Sequence, residues 1–180
     1  MRQTMVDLWA QEQVHLEADL PRDKWPFGRH LTTEGWTAFL AAMPSALAGH
    51  DMVWLAERMN AHALWETYYL QHRRTGTVRA RVGQPNALIM LTYGEFNTAY
   101  VRAVATTALQ EGISTSVIYR AAPAGYPRDT CTYMEGAQIA CTAILSGHRA
   151  YHTGELAEIS IPAGPNCHHS ILVPTWVNQS

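Results

Sequence analysis

The amino-acid sequence predicts an α+β fold: an N-terminal helical part of three to four helices, then a small β-containing C-terminal knuckle-like module. Apolar residues recur at helical intervals as far as Glu111. Beyond Gly112 the period becomes alternating, as in Thr115-Ser-Val117-Ile-Tyr119-Arg120. Two soft-ligand clusters, Cys131-Thr-Tyr-Met134 and Cys167-His168-His169, each lie beside turn-forming residues and are separated by a stretch too short to be a domain. The chain therefore divides into a helical region over 1–112 and a β-containing module over 113–180, the module forming one compact unit with the helix before it.

Met5, Leu8, Trp9, Glu12 and Leu16 fall at near-helical intervals among polar residues and predict a mostly exposed helix over Met1–Leu20. Pro21, Pro26 and Gly28 then break the chain. Thr32 or Thr33 caps the next helix, whose apolar positions are Trp36, Phe39, Leu40, Met43 and Leu47; Pro44 should bend or restart it and Gly49 close it. Asp51 caps a long aromatic helix reaching His72, with Met52, Leu55 and Met59 on one stripe and Trp54, Trp65 and Tyr68 on another. Gly83-Gln84-Pro85 opens a further long helix that Gly112 ends, with Ile89, Tyr93, Phe96, Tyr100, Val104 and Thr107 on one face. After the strand at Thr115–Arg120, Met134–Ala140 forms a second short strand around Gly136. Thr142–His148 makes a helical turn or two, and Ser170–Val173 a closing strand.

A chain of 180 residues, 47% of them hydrophobic, can bury a sizeable core without staples. Three cysteines are an odd number without regular spacing, which argues against a disulfide scaffold and for synthesis in a reducing compartment. No run approaches membrane-spanning length, and the first residues show neither a basic n-region nor an apolar h-region. A formal net charge of −2 gives the chain as a whole no field for nucleic acid.

Metal binding would use Cys131, Cys167, His168 and His169, with a donor such as Cys141, His148 or His152 to complete the set. Thiolate with imidazole selects zinc. The alternative is that Cys131, Met134, Cys141 and Cys167 are small buried apolar residues in a β-rich module, with the histidines in turns and no cofactor at all. For catalysis the chain offers Cys131, Cys167, Glu135 and its C-terminal histidines. It has no His-x-Glu with Pro-Cys-x-x-Cys, no Gly-x-Ser-x-Gly, no P-loop and no His-Glu-x-x-His, so the expectation is a protein that is not an enzyme.

Two surfaces invite partners. The apolar girdle of the Asp51–His72 helix, with Trp54, Trp65, Tyr68 and Tyr69, is wide; it predicts either a central core helix of the monomer or contact with another protein or another copy. Beside it, Arg73, Arg74, Arg79 and Arg81 flank Thr75-Gly76-Thr77, a cluster suited to bidentate binding of phosphate or carboxylate.

The stretch Thr92-Tyr-Gly-Glu95-Phe-Asn97, the strand to Arg120, Asp129-Thr130-Cys131 with Gly136, Ile144-x-x-Gly147, and Pro165-Asn166-Cys167-His168-His169 follow one another in an order that resembles the phage head morphogenesis family, the MuF-like (Mu gpF-like) minor head proteins. Met134 stands where that family carries its second cysteine, and His169 where it carries its last. The resemblance implies a structural protein of a tailed bacteriophage, made in the host cytoplasm and incorporated into the virion head near the portal. It further implies portal or other head proteins as partners. For the arginine cluster, the guanidinium groups themselves suggest an acidic protein surface or packaged DNA, the alternative being a solvated loop. A head-to-tail connector or head-completion protein, and a small Cys/His zinc-dependent enzyme, are the alternatives.

Overall fold

The computed structural model describes residues 1–19, 28–121, 133–148, 159–162 and 167–177. It is α+β. In chain order the elements are α1 (Arg2–Asp19), α2 (Thr33–Gly49), α3 (Met52–Met59), β1 (Tyr68–Arg73), β2 (Gly76–Arg81), α4 (Gln84–Gln110), β3 (Thr115–Arg120), β4 (Gln138–Ala140), α5 (Cys141–Ser146), β5 (His169–Leu172) and α6 (Pro174–Val177), with 3-10 turns at Gly28–His30 and His62–Leu64. The chain forms two compact units. One comprises Met1–Leu8 with Asn97–Ser180, the other Trp9–Phe96.

In the Trp9–Phe96 unit, α2 starts where the Thr32 hydroxyl accepts the Gly35 N–H at 3.0 Å, satisfying a donor that the first turn leaves orphaned. Phe39, Met43, Ala46 and Leu47 bury one stripe of the helix, and Trp9 meets Phe39 edge to face at 5.9 Å. The helix runs through Pro44 without restarting and closes at Gly49 as expected. Proline removes one hydrogen bond, and the buried stripe on either side of it offsets that loss. A Cβ on Gly35 would overlap the backbone carbonyl of Leu64, so this glycine lets the chain before β1 lie against the start of α2.

Asp51 caps α3 through its carboxylate, which accepts the N–H groups of Val53 and Trp54. The long helix expected to reach His72 ends at Met59 instead, and the correction has a local cause. The indole N–H of Trp65 turns back and donates to the Met59 carbonyl at 2.7 Å, occupying an acceptor that a further helical turn would need. From Thr67 onward, β-branched and aromatic residues favour extended chain. Tyr68–Arg73 and Gly76–Arg81 pair as an antiparallel hairpin, closed by Arg74-Thr75 with Gly76 at φ +125°.

In the other unit, β3 is the centre of an antiparallel sheet of order β4-β3-β5. Ile118 and Ile171, directly opposite each other in the register, are buried with Val101, Val104, Ala105 and Ala108 of α4 and Cys141 and Ile144 of α5. The small residues of α4 allow its backbone close to the sheet. Of the expected core face of that helix, Val104 is buried and Phe96, Tyr100 and Thr107 are half-buried, but Ile89 is 54% and Tyr93 39% exposed, while Leu88, Leu91, Thr92, Glu95 and Ala99 are buried in their place. α4 ends at Gly112, φ +77°, where the Ile113 N–H reaches back to the Ala108 carbonyl at 2.8 Å in a Schellman-type closure.

Candidate functional site

The alternation of β5 and the chain just before it sets Cys167 and His169 two positions apart, with Cys167 Sγ 3.7 Å from His169 Nδ1. His169 stands opposite Arg120 in the β3–β5 register and is only 3% exposed. On the other side of its ring, Nε2 is buried and makes no hydrogen bond among the described residues; Glu135 Oε1 lies 3.7 Å from it. Arg120 pairs with the same carboxylate oxygen. Glu135 is carried there by the turn at Gly136, φ +81°, whose N–H donates to the Ile118 carbonyl at 2.9 Å. From α4, the Asn97 side-chain amide donates to the His169 carbonyl at 2.8 Å. One end of the sheet thus gathers Asn97, Arg120, Glu135, Cys167 and His169.

Zinc bound to one thiolate at about 2.3 Å and one imidazole at about 2.0 Å, in tetrahedral geometry, holds the two donor atoms roughly 3.5 Å apart. The Cys167–His169 separation fits that edge, and it fits a weak thiol–imidazole contact equally well. Of the other expected ligands, His168 is exposed at the intervening position, and its carbonyl accepts the Ala121 N–H at 2.8 Å. Cys131 and His152 lie outside the described residues, and His148 is half-buried after α5. Cys141 is a core residue; burial pushes its thiol pKa up, which opposes a role as ligand. Among the described residues no three His, Cys, Asp or Glu side chains converge as a metal-binding group.

The expected contact surface is redistributed. Trp65 is 6% exposed and belongs to the chain's own core, which removes it from any outer face. Trp54 is half-buried, stacked on His50 at 4.3 Å, with Arg58 4.9 Å from its ring centroid. Tyr69 turns inward from the hairpin against His30, ring centroids 4.2 Å apart, and Arg29. Burial beside Arg29 lowers the His30 pKa to about 4, desolvation being the larger cause. Tyr68 is 44% exposed, and Arg74, Arg79 and Arg81 are exposed; the side chain of Arg73 lies outside the described set. None of these aromatic residues shares one long helix as anticipated.

Sequence reasoning had marked Asn97, Cys167 and His169 but gave Arg120 no role. Its position at the end of an alternating strand was the available sign, and only the β3–β5 register pairs it with His169. No helix among the described residues is long and apolar enough to cross a membrane. No protein-family model, curated protein or solved structure matches the chain.

Proposed function

We propose that this chain is a structural protein of a tailed-bacteriophage virion, a minor head protein acting in head morphogenesis near the portal. The observation that carries the reading is the Asn97–His169 hydrogen bond, which spans 72 residues. It joins the polar patch on α4 to the Cys-His-His segment, two separate parts of the pattern by which the chain resembles MuF-like proteins. Gly136, from the middle part of that pattern, carries its neighbour Glu135 to the same end of the sheet. Such convergence supports one inherited module rather than scattered short matches.

In this role the residues at the sheet end hold the C-terminal module together. Zinc, if carried, would take Cys167 and His169 as two of its ligands, and strand alternation turns the exposed His168 away from them. Exposed apolar side chains of the Trp9–Phe96 unit outside the β1–β2 hairpin, Val53 and Ile89 among them, supply the surface for portal or other head proteins.

Deleting the gene from the phage genome that encodes the chain tests the reading. The expected result is heads that are defective in assembly or in genome delivery, restored by the chain supplied in trans. Normal yields of infectious particles without it would overturn the proposal. Complete filled heads that cannot join tails would instead favour the head-completion alternative.

A further inference from the structure

We propose that the β1–β2 hairpin is a binding ribbon for duplex DNA, seated in the major groove with Arg74, Arg79 and Arg81 on the flanking phosphates. This goes beyond assignment to a virion and stands on a different part of the molecule from the sheet-end site.

The first ground is charge segregation. The chain's net charge of −2 argues against a polyanionic partner only if its charges are mixed, and they are not. Residues 67–94 contain four of the 13 Lys and Arg and none of the 15 Asp and Glu. Among the described residues no carboxylate pairs with Arg74, Arg79 or Arg81. Their field is therefore available to an outside anion, and at physiological salt it decays over about 8 Å, so of the carboxylates only Glu66, two residues before Tyr68, bears closely on the cluster.

The second ground is the arrangement within the hairpin. Strand alternation and the cross-strand register put Tyr68 and Leu70 on one face with Arg81 and Arg79, which stand directly opposite them. That face is open: Tyr68 is 44% and Leu70 59% exposed, and both arginines are exposed. The opposite face carries Tyr69 and Ala80, both partly buried, with Tyr69 against His30 and Arg29. Arg79 lies over the Tyr68 ring at 4.1 Å, which restrains its guanidinium while leaving the N–H edge free to fork onto a phosphate. Arg79 and Arg81, two residues apart, repeat at about 7 Å along the strand.

The third ground is shape. A two-stranded ribbon is one of the two elements that the B-DNA major groove admits, and among the described residues no third strand widens this one. Tyr68 and Leu70 line the β1 edge of the open face, to set against base edges such as the thymine methyl, with Arg79 and Arg81 along the β2 edge and Arg74 at the turn. An acidic protein surface would satisfy the arginines but gives no reason for a narrow ribbon with an apolar and a cationic edge.

The test uses the full chain and a fluorescent DNA duplex of about two helical turns, titrated by anisotropy between about 50 and 200 mM salt. The expected result is salt-dependent binding, with log K falling against log salt with a slope of about −3, as for three phosphates neutralised. The double variant R79Q/R81Q should bind at least about 10-fold more weakly and lose roughly two units of slope, whereas Arg58→Gln, on α3, should bind like the parent. All the substituted side chains are exposed, and unchanged circular dichroism and Tm will show that the variants fold. Absence of binding at the lowest salt, or binding that R79Q/R81Q does not weaken, overturns the proposal. So does tighter binding of a polyglutamate peptide through the same arginines, which would assign the ribbon to an acidic protein. None of these outcomes depends on whether the chain enters a phage head.

Discussion

Asn97 and His169 lie 72 residues apart, and the side-chain amide of the first donates to the backbone carbonyl of the second at 2.8 Å. A strand carbonyl that would otherwise need water is thereby satisfied from α4, and the helix is tied to the strand that positions Cys167 and the His169 ring.

Asn97→Ala should cost about 1–2 kcal/mol, because the amide is lost and the part-buried carbonyl loses its partner. Urea unfolding measures it. Asn97→Asp should be at least as damaging, since a carboxylate cannot donate to a carbonyl. A variant as stable as the parent would show that the bond does not tie the module.

Trp65 and Trp54 should separate clearly. Trp65→Phe keeps most of the buried ring but removes the hydrogen bond to the Met59 carbonyl, an expected loss of about 1–3 kcal/mol, and Trp65→Ala should cost about 3–5 kcal/mol. Trp54→Ala, at a half-buried ring between His50 and Arg58, should cost less than about 2 kcal/mol and leave the fold intact. Thermal unfolding of the three variants checks the ranking.

His30 makes stability depend on pH. Its pKa is lowered from 6.5 to about 4 in the folded chain, so between these values the unfolded chain binds the proton and the folded chain does not. The contribution is fully present above about pH 6.5 and is lost as pH falls towards 4. Discounted for its partial exposure, the effect is on the order of 1 kcal/mol. Unfolding of the parent and of His30→Gln at pH 7 and pH 4.5 should show the parent losing more stability than the variant; equal losses would remove His30 as the cause.

Zinc is the remaining chemical test of the sheet end. Protein prepared without chelator should carry about one zinc per chain by elemental analysis, lost in Cys167→Ala, and chelator should lower the Tm. Metal-free protein whose Tm is indifferent to chelator would leave Cys167 and His169 as a thiol–imidazole contact only.

Periodicity and caps exposed much of the fold to sequence reasoning. Thr32 and Asp51 start helices as their side chains predict, Pro85 and Gly112 bracket α4, and the alternating run at Thr115–Arg120 is the central strand. The failures have physical causes. The stretch after Met59 keeps a helical spacing of aromatics, but a tertiary hydrogen bond from Trp65 ends the helix and a Gly76 turn reverses the chain. On α4 the buried face mixes leucine and valine with alanine and the polar Thr92, Glu95 and Thr98, so hydrophobic pattern alone wrongly admits Tyr93 and Ile89. At the sheet end, Cys167 and His169 announce themselves by residue type. Glu135 stands out as a carboxylate among the same candidates, but its meeting with His169 and the role of Arg120 come only from strand register and a turn, which no single segment encodes; Cys131 lies outside the described residues.

Membership of a phage head is tested most directly by the protein composition of purified heads. On the proposed reading, quantitative mass spectrometry of particles of the parent phage should find the chain in few copies per head, in constant ratio to the portal protein. Heads of normal composition that lack the chain, while it accumulates free in the infected cell, would contradict the account.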